Sequence, residues 1–340
     1  MLSVLVVGHG LSGAIIAHTL TDHGLEVHCI EGRVPHSASQ VATGLINPFI
    51  GPKLNTPTEI DECLFANQEF FKKWEEMSNQ KLYYKDSLIR VFRTEQQLLK
   101  WRLLENEDLS SKFATSLASK HEIKNVGLTA PFGAGITLSY RLDILAYLKL
   151  SKERLIAKSR WTSTLFEESM INEFDITIFA EGHNVSANPY FNWLPFAPAQ
   201  GEILELDGPR LPLCSNGTWF LPHSSKNAKA GSTWKHEDLK SGPTDKGKKT
   251  IYKNLNFLPI DQFKLVNHLS GIRSGTMDRS PIIGRHPKIS KLYIFNGFGS
   301  RGSTTIKMNA ERLAEFIILE KPLNQNIDLN RFKKKIRCPT

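Results

Sequence analysis

Six residues, Gly8-His9-Gly10-Leu11-Ser12-Gly13, constrain this chain more than any other stretch. They follow an apolar, β-rich run, Ser3–Val7, and precede Ala14–Asp22, which has helical composition. Gly24 ends that helix, and Leu25–Ile30 reads as a second strand ending at Glu31. A G-x-G-x-x-G between strand and helix, with an acid 18 residues beyond its last glycine, predicts a dinucleotide-binding βαβ unit. Gly8 permits the tight turn, Gly10 lets a pyrophosphate approach the backbone, and Gly13 lets helix and strand pack closely. The helix start at Leu11 and Ser12 offers free N–H groups and a partial positive charge to phosphates. Glu31, followed by Gly32, is placed to accept hydrogen bonds from ribose hydroxyls, and its charge disfavours a 2′-phosphate. His9 is expected as a tolerated turn residue. FAD and NAD share this fingerprint, so the unit alone does not choose between them.

The composition fits a folded chain of this kind. Hydrophobic residues make up 40% and charged residues 23% of 340, which excludes a disordered chain. The sequence has no run of 18 apolar residues, so no membrane-spanning helix is expected, and no basic region precedes Val4–Val7 as a secretory signal requires. Cys29, Cys63, Cys214 and Cys338 form no CxxC, so neither a metal site nor a disulfide framework is expected, and the cytoplasm is the expected location.

Residues 37–57 read as a loop rich in small residues. Glu59–Met77 reads as an amphipathic helix, Lys81–Arg93 as strand, Thr94–Asn106 as helix, and Leu142–Leu150 as a helix with Asp143 near its start. Strands are expected at Gln200–Leu206, Thr218–Pro222, Ala230–Trp234, Leu265–Arg273 and Leu292–Phe295. A Lys-rich segment, Lys226–Lys253, separates some of these, and Ser303–Leu319 reads as a helix after a glycine-rich turn. Strand-rich material between two α/β ends predicts a nucleotide domain interrupted by a second one.

Four further segments resemble the D-amino-acid-oxidase and glycine-oxidase (DAO) family of FAD-dependent flavoproteins. Ala38-Ser39-Gln40-Val41-Ala42-Thr43-Gly44-Leu45-Ile46-Asn47-Pro48 resembles its flavin-contacting loop, and Phe179-Ala180-Glu181-Gly182 its motif over the cofactor. The stretch from Ser270 to Gly284 is similar to the family's G-x-R-x-x-T-x-D-x-x-P-x-x-G pattern, and Asn296-Gly297-Phe298-Gly299-Ser300-Arg301-Gly302 to its closing loop. One branch is more similar still: the flavin domain of bifunctional tRNA 5-methylaminomethyl-uridine biosynthesis enzymes, through Glu181-Gly182-His183, Phe298–Gly302 and the basic tail Arg331–Arg337.

The resemblance implies an α/β fold, a Rossmann-like FAD-binding domain of glutathione-reductase type with an inserted mixed antiparallel-sheet substrate domain. The expected division is 1–79, 130–192 and 268–340 for FAD and 80–129 and 193–267 for substrate. It implies FAD held by Gly8, Gly10, Leu11, Ser12, Gly13, Glu31, Gly32, Ser39, Thr43, Gly44, Leu45, Gly182, Gly299, Ser300, Gly302, Ser303 and Thr304. The implied activity is oxidation of the C–N bond of a glycine-like or D-amino-acid-type amine, by hydride transfer to flavin N5. A flavoprotein kept for binding or assembly is a third reading. Arg273 stands where the family uses an arginine for the substrate carboxylate; an ion pair with Asp278 is the alternative. Arg301 is a candidate to hold substrate or to cap the ring. Trp219 stands where the family often has a tyrosine; it keeps an aromatic wall without a phenolic donor and leaves room for a larger substrate, unless it is ordinary core.

Lys+Arg exceed Asp+Glu by 43 − 34 = 9. Two basic blocks, Lys226–Lys253 and Arg331–Arg337, carry that excess. They are either a solvated loop and a frayed tail or phosphate contacts for tRNA. The branch resemblance makes the second reading specific: the same oxidation on a carboxymethylaminomethyl-uridine at the tRNA wobble position.

Overall fold

The computed structural model describes residues 2–32, 35–223 and 226–335. Its strands, in chain order, are β1 (Ser3–Val7), β2 (Glu26–Ile30), β3 (Leu45–Ile46), β4 (Tyr83–Val91), β5 (Ala114–Ala118), β6 (Ala134–Leu142), β7 (Trp161–Thr162), β8 (Ile176–Phe179), β9 (Ala199–Asp207), β10 (Cys214–Ser215), β11 (Trp219–Pro222), β12 (Asn227–Gly231), β13 (Lys264–Arg273), β14 (Ile282–Arg285) and β15 (Leu292–Asn296). Its α-helices are α1 (Leu11–Asp22), α2 (Ala38–Val41), α3 (Ile60–Ser78), α4 (Glu95–Leu104), α5 (Lys120–Asn125), α6 (Ile144–Ala157), α7 (Asp245–Asn254) and α8 (Gly302–Leu319).

The first sheet has the order β14-β15-β8-β1-β2-β7, parallel except where β14 meets β15. Its strands β1, β8 and β15 are largely apolar and buried on both faces, as strands covered on both sides must be. Val4–Val7 and Leu292–Asn296 are buried throughout. Helices α1, α3 and α8 pack together on one face. In α3 the buried residues Cys63, Leu64, Asn67, Phe70, Phe71 and Trp74 fall on one stripe, while Phe65 is 68% exposed. Asp143 begins α6, its carboxylate accepting the Ala146 N–H at 3.1 Å.

The second sheet has the order β13-β9-β12-β11-β10-β4-β6-β3, with β5 also paired to β6. It is antiparallel except for the β10–β4 pair. Its far face, with Leu204, Leu206 and Phe220, is covered by Ile251 of α7 and by Leu255, Phe257 and Phe263. Its near face looks toward the first sheet's unit.

Several local expectations change. Residues 37–57 hold α2 and β3, because Leu45 and Ile46 pair with Arg141 and Tyr140. The expected strand Ala230–Trp234 is instead Asn227–Gly231; from Ser232 the chain leaves the ladder, and Thr233 Oγ1 takes the Glu202 N–H at 2.9 Å. The Lys-rich segment contains β12 and α7, whose Gly247 and Ile251 face inward while Lys246, Lys249 and Lys253 stay exposed. Strands β6 and β13 belong to the second sheet, although 130–192 and 268–340 were expected with the nucleotide part. Arg337, at the end of the basic tail, and Cys338 lie outside the described residues. No helix among the described residues is long and apolar enough to cross a membrane.

Candidate active site

A cavity of about 970 Å³ separates the two sheets. Its floor is made by the ends of β1 and β8 and the N-termini of α1 and α8, and its roof by the second sheet. The turn after β1 is shaped by close contact. A Cβ on Gly13 would stand 1.8 Å from the Gly8 carbonyl oxygen, so no other residue lets α1 pack onto the strand end. The Leu11 N–H donates to Ser39 Oγ at 3.0 Å. The N–H groups of Ser12 and Gly13 belong to the first turn, which has no intrahelical acceptors. Glu31 ends β2 at the cavity wall. Burial pushes its carboxyl up, against the opposing pull of Lys152 and the His9 backbone N–H.

His9 does more than tolerate a turn. It is 3% exposed, and its Nε2 lies 2.7 Å from Ser151 Oγ, which lies 2.9 Å from His18 Nε2. One hydroxyl can donate to one ring and accept from the other. Burial pushes both imidazoles down to about 3, so both are neutral near pH 7.

At the other end of the floor, Thr43, Gly44 and Leu45 enter between α2 and β3. Helix α8 begins opposite, after Arg301, with Gly302, Ser303 and Thr304 at the cavity. The Asn67 amide of α3 fixes that turn, donating to Ser303 O at 2.9 Å and Thr304 O at 3.1 Å. Asn296 joins three loops: its Nδ2 donates to Gly182 O at 3.0 Å, and its Oδ1 accepts from Ser274 Oγ at 2.7 Å and from the Gly297 N–H at 2.8 Å. Two helix N-termini thus face one elongated space. They fit a ligand with phosphates at one end and, at the other, a ring that gains negative charge on reduction.

The roof carries the charge. Arg273 donates from Nη2 to Ser232 Oγ at 2.7 Å and from Nη1 to Thr233 O at 3.2 Å. The Trp234 ring lies over its Cζ at 4.8 Å. Trp234 is held in turn by a bond from Nε1 to His236 Nε2 at 2.8 Å, and His236 Nδ1 bonds Pro198 O at 3.0 Å. Burial lowers Arg273 to about 10, which leaves it charged at neutral pH. The alternative partner, Asp278, is taken by Arg331 at 2.9 Å, and no carboxylate among the described residues pairs with Arg273. Arg301 donates to the Arg279 carbonyl at 2.9 Å. Trp219 is half-buried at the cavity, in register with Ser215 on one side and Gly231 on the other.

All the site residues singled out from sequence line this cavity except Gly13 and Gly32. Gly13 acts beneath the turn, and Gly32 packs against Leu165. Sequence reasoning missed Trp234 and Ser232, which hold Arg273, and Asn296. It also missed Arg90, whose signal was an arginine at an inward position of a strand, and Arg93, which follows that strand at the cavity edge. Cys63 lines the cavity too, its thiol pushed up to about 12 by burial and therefore protonated.

A family model described as FAD dependent oxidoreductase (DAO) matches residues 3–149 and 152–316. The chain belongs to this family. Its cofactor is FAD, and its fold is the α/β FAD-binding unit with an inserted antiparallel sheet. Among curated members, the tRNA 5-methylaminomethyl-2-thiouridine biosynthesis bifunctional protein MnmC of Legionella pneumophila (strain Lens) is 26% identical over 390 residues, covering 98% of this chain and 57% of that protein. The chain therefore spans little more than half of that relative. Glycine oxidase of Bacillus subtilis (strain 168) is 28% identical over 137 residues, covering 38% of this chain and 37% of that protein. The solved structure of iminodiacetate oxidase from Chelativorans sp. BNC1 shares the family fold with a TM-score of 0.77 at 18% identity, covering 95% of this chain and 98% of that one.

Proposed function

We propose that this FAD-dependent oxidoreductase oxidises the C–N bond of a glycine-type or D-amino-acid-type amine whose carboxylate is gripped by Arg273. One observation carries the reading: a charged guanidinium set in the cavity roof, held by a hydroxyl and a carbonyl, with no carboxylate of its own among the described residues. A half-buried charge left in that state is stabilised by an incoming anion. The planar fork fixes both the distance and the angle of a bound carboxylate, and with them the neighbouring carbon.

FAD, when bound, supplies the acceptor for the two electrons of the oxidation. Ser12, Gly10 and Glu31 would hold its adenylate half, and Thr43–Leu45 with Gly299–Thr304 its ring. The α8 N-terminus favours negative charge at the ring edge. Trp219 and Trp234 wall the substrate space and limit water around the guanidinium. Arg301, tied to Arg279 O, stands at the α8 end of the same space. The chain then works as two parts, an FAD-binding one and a substrate-binding one, with the reaction between them.

A second reading, the same oxidation on the carboxymethylaminomethyl group of wobble uridine in tRNA, is favoured by the extent of similarity. The MnmC match runs over 98% of the chain and the glycine oxidase match over 38%. Trp219 in place of a phenol and the exposed lysines of α7 also support a large anionic substrate.

Anaerobic absorption spectra with added glycine, sarcosine, D-amino acids or undermodified tRNA test both readings. Bleaching of the flavin bands by a small amine supports the first, and bleaching by tRNA alone supports the second. Flavin that no such compound bleaches would overturn both.

A further inference from the structure

The second sheet carries another cationic group that the proposed oxidation leaves unused. Arg90 lies in β4 on the same face as Leu88, 4% exposed, and lines the cavity. Its Nη2 is 3.4 Å from Gly51 O, and its Nε is buried with no partner. Arg93, three residues on, is exposed at the cavity edge and donates from Nη2 to Asn216 Oδ1 at 3.1 Å. No carboxylate among the described residues pairs with either. Burial and the neighbouring Arg93 charge lower Arg90 to about 10, so Arg90 remains cationic at neutral pH. Asn216 cannot neutralise them: its Oδ1 also takes the Thr218 N–H, and its Nδ2 is spent on Asn254 O. An oxyanion between two like charges, one of them buried, would stabilise both.

We propose that Arg90 and Arg93 form a second oxyanion subsite of this cavity, which takes the phosphate of a nucleotide substrate whose carboxylate sits on Arg273. This rests on the nucleic-acid reading above for the identity of the occupant. The spacing selects it. Register sets Arg90 beside Ser215, Ser215 beside Trp219, and Trp219 beside Gly231. Three strand spacings, about 14 Å, thus separate Arg90 from the strand that ends next to Ser232, the anchor of Arg273. Two acid groups on one small amine are only about 5 Å apart, four bonds, well short of that strand separation. A nucleotide bearing an acidic arm on its base can span it. The cofactor's own phosphates would be held elsewhere in the cavity, at the start of α1.

Calorimetric titration of the FAD-loaded protein with inorganic phosphate tests the subsite without turnover. Binding should weaken at least ~10-fold in Arg90→Gln and in Arg93→Gln, and change less than ~2-fold in Arg273→Gln. Arg93 is exposed, so its variant remains informative if Arg90→Gln fails to fold. Phosphate binding indifferent to both substitutions, or lost with Arg273, would overturn the subsite. The occupant is tested with 5-carboxymethylaminomethyluridine and its 5′-phosphate. The phosphate should tighten binding at least ~10-fold, read from flavin reduction, and that ratio should fall toward one in Arg93→Gln. An unchanged ratio overturns the nucleotide as occupant. If neither compound nor undermodified tRNA reduces the flavin while phosphate still binds at Arg90, the nucleic-acid reading falls and the oxyanion subsite stands.

Discussion

The guanidinium of Arg273 lies against the backbone of Gly201, so closely that a Cβ there would stand 2.4 Å from Cζ and 2.1 Å from Nη2. Gly201 belongs to β9 and is paired with Gly271 of β13, two residues before the arginine. The substitution Gly201→Ala should therefore push the guanidinium off Ser232 without touching its charge. The expected outcome is a rise of at least ~10-fold in apparent Kd for the amine substrate, with FAD still bound. Unchanged substrate affinity would show that this placement of Arg273 is not needed.

Direct removal should be more severe. Arg273→Gln is expected to lower the second-order rate of flavin reduction ~100-fold or more, the loss of a charge-assisted, two-pronged contact. Arg273→Lys should recover little of it, because a point charge cannot reproduce the fork. Stopped-flow reduction under anaerobic conditions measures both, and near-normal rates in either variant would contradict the carboxylate assignment.

Trp234 covers the same guanidinium from its exposed side, 53% of its own surface being open. Its replacement by alanine removes a cation–π contact of about 0.5–1 kcal/mol and lets water in. Substrate affinity should fall ~3–5-fold while the limiting rate of reduction is preserved. A fall in the limiting rate alone would point to a different role.

Gly13→Ala tests the cofactor turn. With a Cβ 1.8 Å from Gly8 O, α1 must shift off β1, at a cost of about 1–3 kcal/mol. The purified variant should carry little FAD, seen as loss of the visible absorption bands. A fully coloured variant of unchanged melting temperature would refute this account of the turn.

The pair His9 and His18 predicts acid sensitivity. Each imidazole is held near 3 in the folded protein and near 6.5 when unfolded, burial being the main cause. Between those values the unfolded chain binds more protons, so stability falls as pH drops below 6.5 and goes on falling toward 3. At its steepest the slope approaches two protons, about 2.7 kcal/mol per pH unit. Urea unfolding at about pH 7 and pH 5 should show the loss, and His18→Gln should show a shallower one. Equal slopes in the two proteins would mean that these rings do not remain neutral in the fold.

Much of this arrangement was readable from residues. The βαβ opening was legible because glycine spacing and strand burial speak through the same few positions, and Asp143 announced α6 as a cap. Arg273 stood out inside a motif. Trp234 and Ser232 did not, because Ala230–Trp234 has strand composition and nothing local says that the chain leaves the ladder at Ser232 to hold an arginine. Helix α7 was hidden by its lysines: only Gly247 and Ile251 turn inward, and so charged a segment reads as solvated loop. The membership of Ala134–Leu142 in the second sheet depends on pairing with Tyr83–Val91 some fifty residues away, which no local pattern encodes. Arg90 was passed over for a related reason. An alternating strand tells which residues share a face, but not which face closes over a cavity.

The three-way clasp of Asn296 also has a bearing on how the chain matures. Its partners, Gly182 and Ser274, are separated by almost a hundred residues, and the strand that carries it slots between β8 and β14. Until that strand has been synthesised, β8 is a bare edge and the loops around the cavity have nothing to draw them together. A nascent chain that stops short of residue 292 therefore possesses the glycine fingerprint, the first helix and the acid at its proper place, yet lacks a cradle. Flavin capture then waits on the arrival of β15, however early the fingerprint itself is made.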